Sequence, residues 1–456
     1  MESFLIKAVQ LMAALALLVV IHEFGHYIIA RACGIKVEKF YLFFNPWFSL
    51  AKWKPKARKT PKLDKNGNEK ATWRDTEYGI GWVPLGGYVK IAGMIDESMD
   101  TEQMAQPAKP WEFRSKPAHQ RLAVMVGGVV FNFILAIIIY AGIAWYWGEK
   151  YIPLENAYEG FDFVPAAQAV GFRNGDIPLM ADGERLDASD PYYPLKMAEA
   201  KEVKVLRNHR DTVTIDLPEN FVLKLNDSRG LMAYRVPVYV AALQNGEAAI
   251  KAGIKEGDRI VAVDTIDTPS FTELTPALAQ YAGVTIPVTI ERDGKRMVVE
   301  ATPNEYGKLG FQVKPLTEVY PTVTLNYGLL ESVPKGWEIG TTTLSNYVGS
   351  FRHVFSKEGA ESLGGFGAIG SMFPEKWNWL SFWQITAFLS VALAFMNIIP
   401  IPGLDGGHVM FLLWEVVTRR KPSEQVMVYA QYAGMAFLLL LLVYANGNDL
   451  FRFFLK

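Results

Sequence analysis

The sequence predicts a polytopic α-helical membrane protein with four transmembrane helices and two similar α+β domains carried outside the bilayer. Three observations predict it. Four segments are long and apolar enough to cross a bilayer, which takes about 20 mostly apolar residues. Residues 148–378, between the second and third of these, are far less apolar. Within that stretch a set of small and acidic residues recurs 82 positions on.

The first span runs from about Ala8 to Ala30. It follows Lys7 near the N-terminus, as a signal peptide would, but no small-residue cleavage site follows and polar residues sit in its second half. The second span, Leu122 to Trp147, and the third, Trp379 to Leu404, carry no charge. The fourth, Gln425 to Gly447, contains a pure Leu run at 438–442. Arg, Lys, Trp or Tyr flank each one, as interface anchors do.

Orientation follows from basic residues in short loops. Nine basic and two acidic residues lie between Lys52 and Arg74, and Arg419, Arg420 and Lys421 join the third span to the fourth. Both loops are expected to face the cytoplasm, as solvated loops or in contact with anionic lipid. Both termini and residues 148–378 are then expected outside.

The outside segment repeats itself. Ala166-Ala167, Gly171, Gly175-Asp176 and Asp182 recur as Ala248-Ala249, Gly253, Gly257-Asp258 and Asp264. The strand-like piece 203–207 recurs at 288–292, each ending in Arg. Such spacing predicts two domains rather than a solenoid of short units. In the first copy, Pro178 falls where a strand residue is expected and removes a ladder donor. Downstream, Val333, Trp337, Leu344, Tyr347, Val348, Phe351, Val354 and Phe355 recur at helical spacing. An amphipathic helix on the membrane or on the spans is expected there, followed by the Gly-rich piece Leu363 to Gly370.

Composition narrows the function. The chain has 456 residues, 50% hydrophobic and 20% charged, with a formal net charge of -1. That balance gives no bulk electrostatic case for a nucleic-acid partner. An aromatic content of 13% argues against disorder. A single cysteine, Cys33, excludes an internal disulfide scaffold and a thiolate cluster.

The most informative residues are His22-Glu23-Phe24-Gly25-His26, within the first span. Two His four apart share a helix face and can reach one Zn²⁺, with Glu23 between them as general base. Ionisable groups in a span are costly and usually functional, and a dication would offset their desolvation. A catalytic zinc needs a third ligand and an open position. Soluble zincins often supply a His ten residues after the first, where this chain has Ala32. Asp405 is the better source, in Asn397-Ile-Ile-Pro-Ile-Pro-Gly-Leu-Asp-Gly-Gly-His408. Two prolines there break the helix, which at membrane depth is tolerated only in a protein-buried or wet site. His408 is read as supporting or structural.

Together, HExxH in the first span and Asn-x-x-Pro-x-Pro-x-Leu-Asp-Gly in a later one resemble the site-2 protease family of intramembrane zinc metalloproteases. The 248–260 pattern resembles PDZ domains, which bind extended peptides by adding a strand to a sheet edge; a purely spacing or shielding module is the other reading. Four spans with two PDZ-like domains between the second and third resemble the bacterial regulator-of-sigma-E branch of the family, over essentially the whole chain.

The resemblance implies roles. His22, His26 and Asp405 match the zinc ligands, Glu23 the general base, and Asn397 the Asn that positions substrate or stabilises the oxyanion. Gly79-Ile-Gly81 and Pro84 to Lys90 resemble the family's membrane-associated β-hairpin, which offers an edge to substrate. Gly127-Gly128 and Asn132 are read as letting another helix approach closely and supplying a hydrogen bond, with packing the favoured role. The implied layout is 1–120 for the first helix, cytoplasmic loop and hairpin, and 121–148 for the second helix. The two periplasmic PDZ-like domains are 149–220 and 221–314, the connector 315–375, and the last two helices 376–456.

The implied activity is zinc-dependent endopeptidase action on single-pass membrane proteins of the bacterial inner membrane. These are of anti-sigma-factor type after a first cut by another protease, or remnant signal peptides. The PDZ-like pair acts as a size filter, with peptide ligands and membrane lipid as further partners and the active site toward the cytoplasm. Two rivals are a metal transporter and a membrane-anchored PDZ scaffold. The transporter needs polar groups continuing across the membrane, but the fourth span offers mainly Gln425 and Gln431. A scaffold with a dead site would have lost Glu23, His22, His26 or Asp405, and all four are present.

Overall fold

The computed structural model describes residues 2–56, 71–84, 86–94, 106–190, 192–219, 221–225, 230–244, 246–351 and 364–455. Parts of three sequence readings lie outside them: 57–70 of the basic loop, Leu85, and 352–363 with Val354, Phe355 and Leu363. The chain divides into two compact units, Met1–Trp147 with Asn326–Lys456, and Gly148–Leu325.

The first unit holds seven labelled helices: α1 (Glu2–Ala32), α2 (Ala118–Trp147), α3 (Ser332–Phe351), α4 (Phe366–Ser371), α5 (Trp379–Ile398), α6 (Asp405–Thr418) and α7 (Glu424–Leu455). Among the described residues four helices are long and apolar enough to cross a membrane: Ser3–Ala32, Ala118–Trp147, Trp379–Ile398 and Gln425–Phe451. α2 is the hub, packed against α1, α3, α5 and α6. Small residues allow it. A Cβ on Gly336 of α3 would stand 2.7 Å from the Ile137 carbonyl oxygen of α2, so these two helices meet backbone to backbone.

The third span is shorter than the sequence suggested. Its helix ends at Ile398, not Leu404, and a new helix begins at Asp405. Pro400 and Pro402 lack the amide protons a helix needs, and their rings disfavour continuation. The irregular turn between α5 and α6 is backed by α7. A Cβ on Gly434 would lie 1.6 Å from the Pro402 carbonyl oxygen, so only glycine fits there. The Gly-rich piece becomes α4. Its first amides are satisfied by the buried carboxylate of Asp449 on α7, which accepts from Gly365 N at 2.9 Å and Ala368 N at 3.0 Å.

Four strands form one sheet, β1 (Val37–Leu42), β2 (Ala51–Trp53), β3 (Glu77–Ile80) and β4 (Tyr88–Ile91), in the order β2-β3-β1-β4. This corrects the expected hairpin. β3 and β4 do not pair with each other; β1 lies between them, parallel to β3 and antiparallel to β4. The glycines read as hairpin residues make room for β1 instead. A Cβ on Gly79 would meet the Tyr41 ring at 2.3 Å. β4 is one of the two terminal strands of this sheet among the described residues.

The second unit contains two cores. Strands β5 (Glu149–Tyr151), β6 (Phe161–Phe163), β7 (Ile177–Ala181), β8 (Glu184–Arg185), β9 (Glu202–Arg207), β10 (Asp211–Asp216) and β11 (Met232–Tyr234) serve the first. Strands β12 (Val238–Leu243), β13 (Arg259–Val263), β14 (Ile266–Asp267), β15 (Ile286–Arg292), β16 (Lys295–Ala301) and β17 (Phe311–Val313) serve the second. β18 (Val323–Leu325) pairs with β5, so the two ends of the unit meet. Phe221 and Leu231 lie beyond residue 220 yet pack into the first core, because β11 pairs with β6. Pro178 sits inside β7 and is accommodated at a register shift opposite β9.

The repeat is visible as chemistry. Arg207 clamps Asp176 with Nε at 2.9 Å and a second guanidinium nitrogen at 2.7 Å, and donates to the Gly171 carbonyl. Arg292 does the same to Asp258 at 2.7 and 2.7 Å, and to Gly253. Burial works against the charged form of Asp258, but the Arg292 fork and the Lys255 amide outweigh it and hold the carboxyl below its ordinary range. A carboxyl held low stabilises the fold above its ordinary value of about 4 and stops doing so as pH falls below it. Arg292→Leu is therefore expected to speed amide exchange in β13 and β15 by about tenfold at pH 7. The effect should shrink progressively as pH is lowered below about 4, where wild type weakens too. Hydrogen–deuterium exchange corrected for intrinsic rates checks both.

Candidate metal centre

The centre is built from three helices of the first unit. α1 brings His22 and His26 onto one face, one turn apart. α2 lies against that face at its smallest residues. A Cβ on Gly25 would lie 2.5 Å from the Gly127 carbonyl oxygen, and one on Gly128 would lie 2.5 Å from His26 Nε2 and 2.6 Å from His22 Cε1. Gly128 is thus the floor on which both imidazoles rest. α6 begins at Asp405, so the carboxylate stands at a helix N-terminus, where the backbone dipole favours negative charge.

The donor atoms converge. His22 Nε2 lies 3.1 Å from Asp405 Oδ2, His26 Nε2 lies 3.2 Å from it, and the two imidazole nitrogens are 3.3 Å apart. In a tetrahedral zinc site with bonds of about 2.0–2.1 Å, ligand atoms stand about 3.3–3.4 Å apart. The triangle has that size. Asp405 Oδ2 is buried with no hydrogen-bond partner among the described residues. The donor set, two imidazoles and one carboxylate, is one that zinc accepts with a fourth position open. These residues fit the ion.

Two contacts orient the rings. His26 Nδ1 stands 2.8 Å from the Val124 carbonyl oxygen; donating there leaves Nε2 free as a ligand. His22 Nδ1 faces the Asn132 carboxamide at 3.2 Å. Asn132 is fully buried and its Oδ1 lacks a partner among the described residues. An amide turned so that Oδ1 accepts from Nδ1–H satisfies both groups and again frees Nε2. The sequence reading gave Asn132 an interhelical hydrogen bond, with packing as its favoured role. Its signal was present: a carboxamide in an uncharged span, four residues after Gly128.

The other expected residues are also here. Glu23 is half-buried and lines the same cleft as the triad. Asn397, on the last turn of α5, places Nδ2 3.3 Å from His22 Nε2. The cleft encloses about 670 Å³ and is bounded on one side by Gly86 to Ile91, including all of β4. His408 and Gln431 complete its wall.

The family profile of Peptidase family M50 matches residues 10–59 and 68–441. The chain belongs to Peptidase family M50. It is a zinc-dependent metalloendopeptidase of the site-2 protease type, with the apolar helices of an intramembrane enzyme. It is 30% identical to the regulator of sigma E protease of Haemophilus influenzae over 99% of this chain and 100% of that one. It is 28% identical to the regulator of sigma-E protease RseP of Escherichia coli, over 99% and 100%. A Neisseria meningitidis protein whose name includes zinc metalloprotease is 27% identical over 96% of this chain and 97% of its own.

Two substitutions test the centre. Gly128→Ala is expected to abolish zinc retention, since its methyl would occupy the space of the His26 ring edge. Asn132→Leu is expected to weaken zinc binding by about 10–100-fold while the chain stays folded. Zinc per chain by elemental analysis, and competition with a chelator, check them.

Proposed function

We propose that this M50 peptidase cuts single-pass membrane proteins within or beside their transmembrane helix. His22, His26 and Asp405 hold the zinc and Glu23 is the general base. The observation that carries the assignment is the 3.1–3.3 Å triangle of ligand atoms with Glu23 lining the same cleft. Bound zinc supplies Lewis-acid chemistry, acidifying water and polarising a carbonyl. Glu23 takes the proton of the attacking water and returns it to the leaving amine nitrogen. Asn397 offers its Nδ2–H to the scissile carbonyl oxygen as charge develops there.

A substrate helix hides its carbonyls in its own hydrogen bonds, so it must unwind before it is cut. The terminal position of β4 in its sheet suits it to pair with an extended segment lying across the cleft. Exposed aromatics beside the sheet favour contact with membrane lipid: Trp47 is 90% exposed and stacks on Trp82.

In this reading the second unit carries two PDZ-like domains outside the inner membrane, with both chain termini on that side. β17 is a terminal strand of its sheet, which suits peptide addition. The pair works as a size filter that admits only trimmed substrates, of anti-sigma-factor type or remnant signal peptides.

The central test compares wild type with Glu23→Gln in detergent on a truncated single-pass protein. Near one zinc per chain in both, with cutting by wild type alone, is the expected result. Cutting unchanged in the variant would overturn the base assignment. The filter has its own test. β5 and β18 bring the ends of the second unit together, so a short Gly/Ser linker can replace residues 149–325. That variant is expected to cut untrimmed substrate, which wild type leaves intact. Equal discrimination by both would remove the filter.

A further inference from the structure

The active-site cleft does not end at the triad. A second chamber of about 480 Å³ adjoins it, and Met94, His408 and Gln431 line both. The cleft follows β4 as far as Ile91 and Met94; the chamber begins at Gly93 and Met94. A chain laid along β4 advances about 3.3 Å per residue. It would leave the sheet edge where the chamber opens.

The chamber's chemistry differs from that of the cleft. Its walls are apolar at Phe113, Phe411 and Leu412, and cationic at Arg114, Arg121 and Lys421, against one carboxylate, Glu415. Two of the cations are committed. Arg121 is buried, pairs with Glu415 and donates to the Lys116 carbonyl at 2.9 Å. Arg114 pairs with Glu112 at 2.7 Å. Lys421 is exposed and has no ion-pair partner among the described residues. At the neck stands Gln431, a buried carboxamide on a membrane-spanning helix, where polar groups are costly. Its amide can hydrogen-bond a passing backbone.

From this continuity and charge we propose that the chamber is a specificity subsite for the polypeptide being cut, receiving an acidic side chain whose carboxylate pairs with Lys421. The proposal rests on the protease reading above and adds to it a preference at one substrate position.

The test uses the full-length protein in detergent and a trimmed single-pass substrate that wild type cuts and Glu23→Gln does not. Each residue within about eight positions of the cut bond is replaced in turn by Glu and by Lys. At one position Glu is expected to be cut about tenfold faster than Lys. Lys421→Glu should reverse that order there and nowhere else, and Lys421→Ala should erase it with zinc per chain unchanged. Absence of any such position, or a preference that survives Lys421→Glu, would overturn the subsite. So would a Lys421→Glu variant slowed equally on every substrate, the behaviour of a structural residue or of a lipid headgroup site. Failure to find any substrate that separates wild type from Glu23→Gln would instead be failure of the protease reading, and the subsite would fall with it.

Discussion

Two imidazoles and a carboxylate packed into an apolar helix bundle are the constraint on which the first unit depends. Each is costly to desolvate, and their cost falls only if they converge tightly enough to share one cation. Convergence at 3.1–3.3 Å requires α1 and α2 to touch backbone to backbone. Gly25, Gly127 and Gly128 are the price of that contact. Asn132 and the Val124 carbonyl then fix the ring orientations from the same helix. α2 is therefore a template for the proposed zinc ligands, none of which it contributes.

The proposed third ligand, Asp405, gives a reason for the broken span. A carboxylate projecting from the middle of a continuous helix would meet no favourable backbone field. Ending α5 at Ile398 and restarting at Asp405 puts the carboxylate on a helix N-terminus and leaves Asn397 on the last turn before the break. The irregular backbone between them needs cover at membrane depth. Gly434 of α7 supplies it by direct contact with Pro402. One proline pair thus accounts for the place of the proposed ligand, for the neighbouring amide, and for a glycine in another helix.

Much of this was legible in the sequence, for a physical reason. The i, i+4 spacing of His22 and His26 fixes a shared helix face whatever the fold, and uncharged runs of bilayer length have few other uses. The 82-residue repeat announced two similar cores, and the paired Asp–Arg forks are its structural counterpart. What failed was non-local. The hairpin expectation assumed that the neighbours in sequence, β3 and β4, pair with each other; the strand that separates them, β1, comes from a segment about 40 residues upstream, between Gly34 and Asn45-Pro46, and its pairing with both is non-local. Non-local in the same way, β11 pairs back to β6 from about 70 residues downstream. Asn132 was read as a hydrogen-bonding, packing residue without a named partner, since that partner, His22, lies 110 residues away.

Strand capture and metal chemistry fit together in one argument. An open sheet edge is a liability that proteins normally cover or charge. A carboxylate oxygen buried without a hydrogen bond is a second liability. The first unit holds both against one cleft, bounded by β4 on one side and by the triad on the other. In the proposed mechanism a single event relieves the edge: an unwound polypeptide pairs with β4. That pairing replaces the helical hydrogen bonds the substrate loses on unwinding, and it leaves a carbonyl beside the metal ligands. The sheet thus offsets the cost of unwinding at the place where the exposed carbonyl is used.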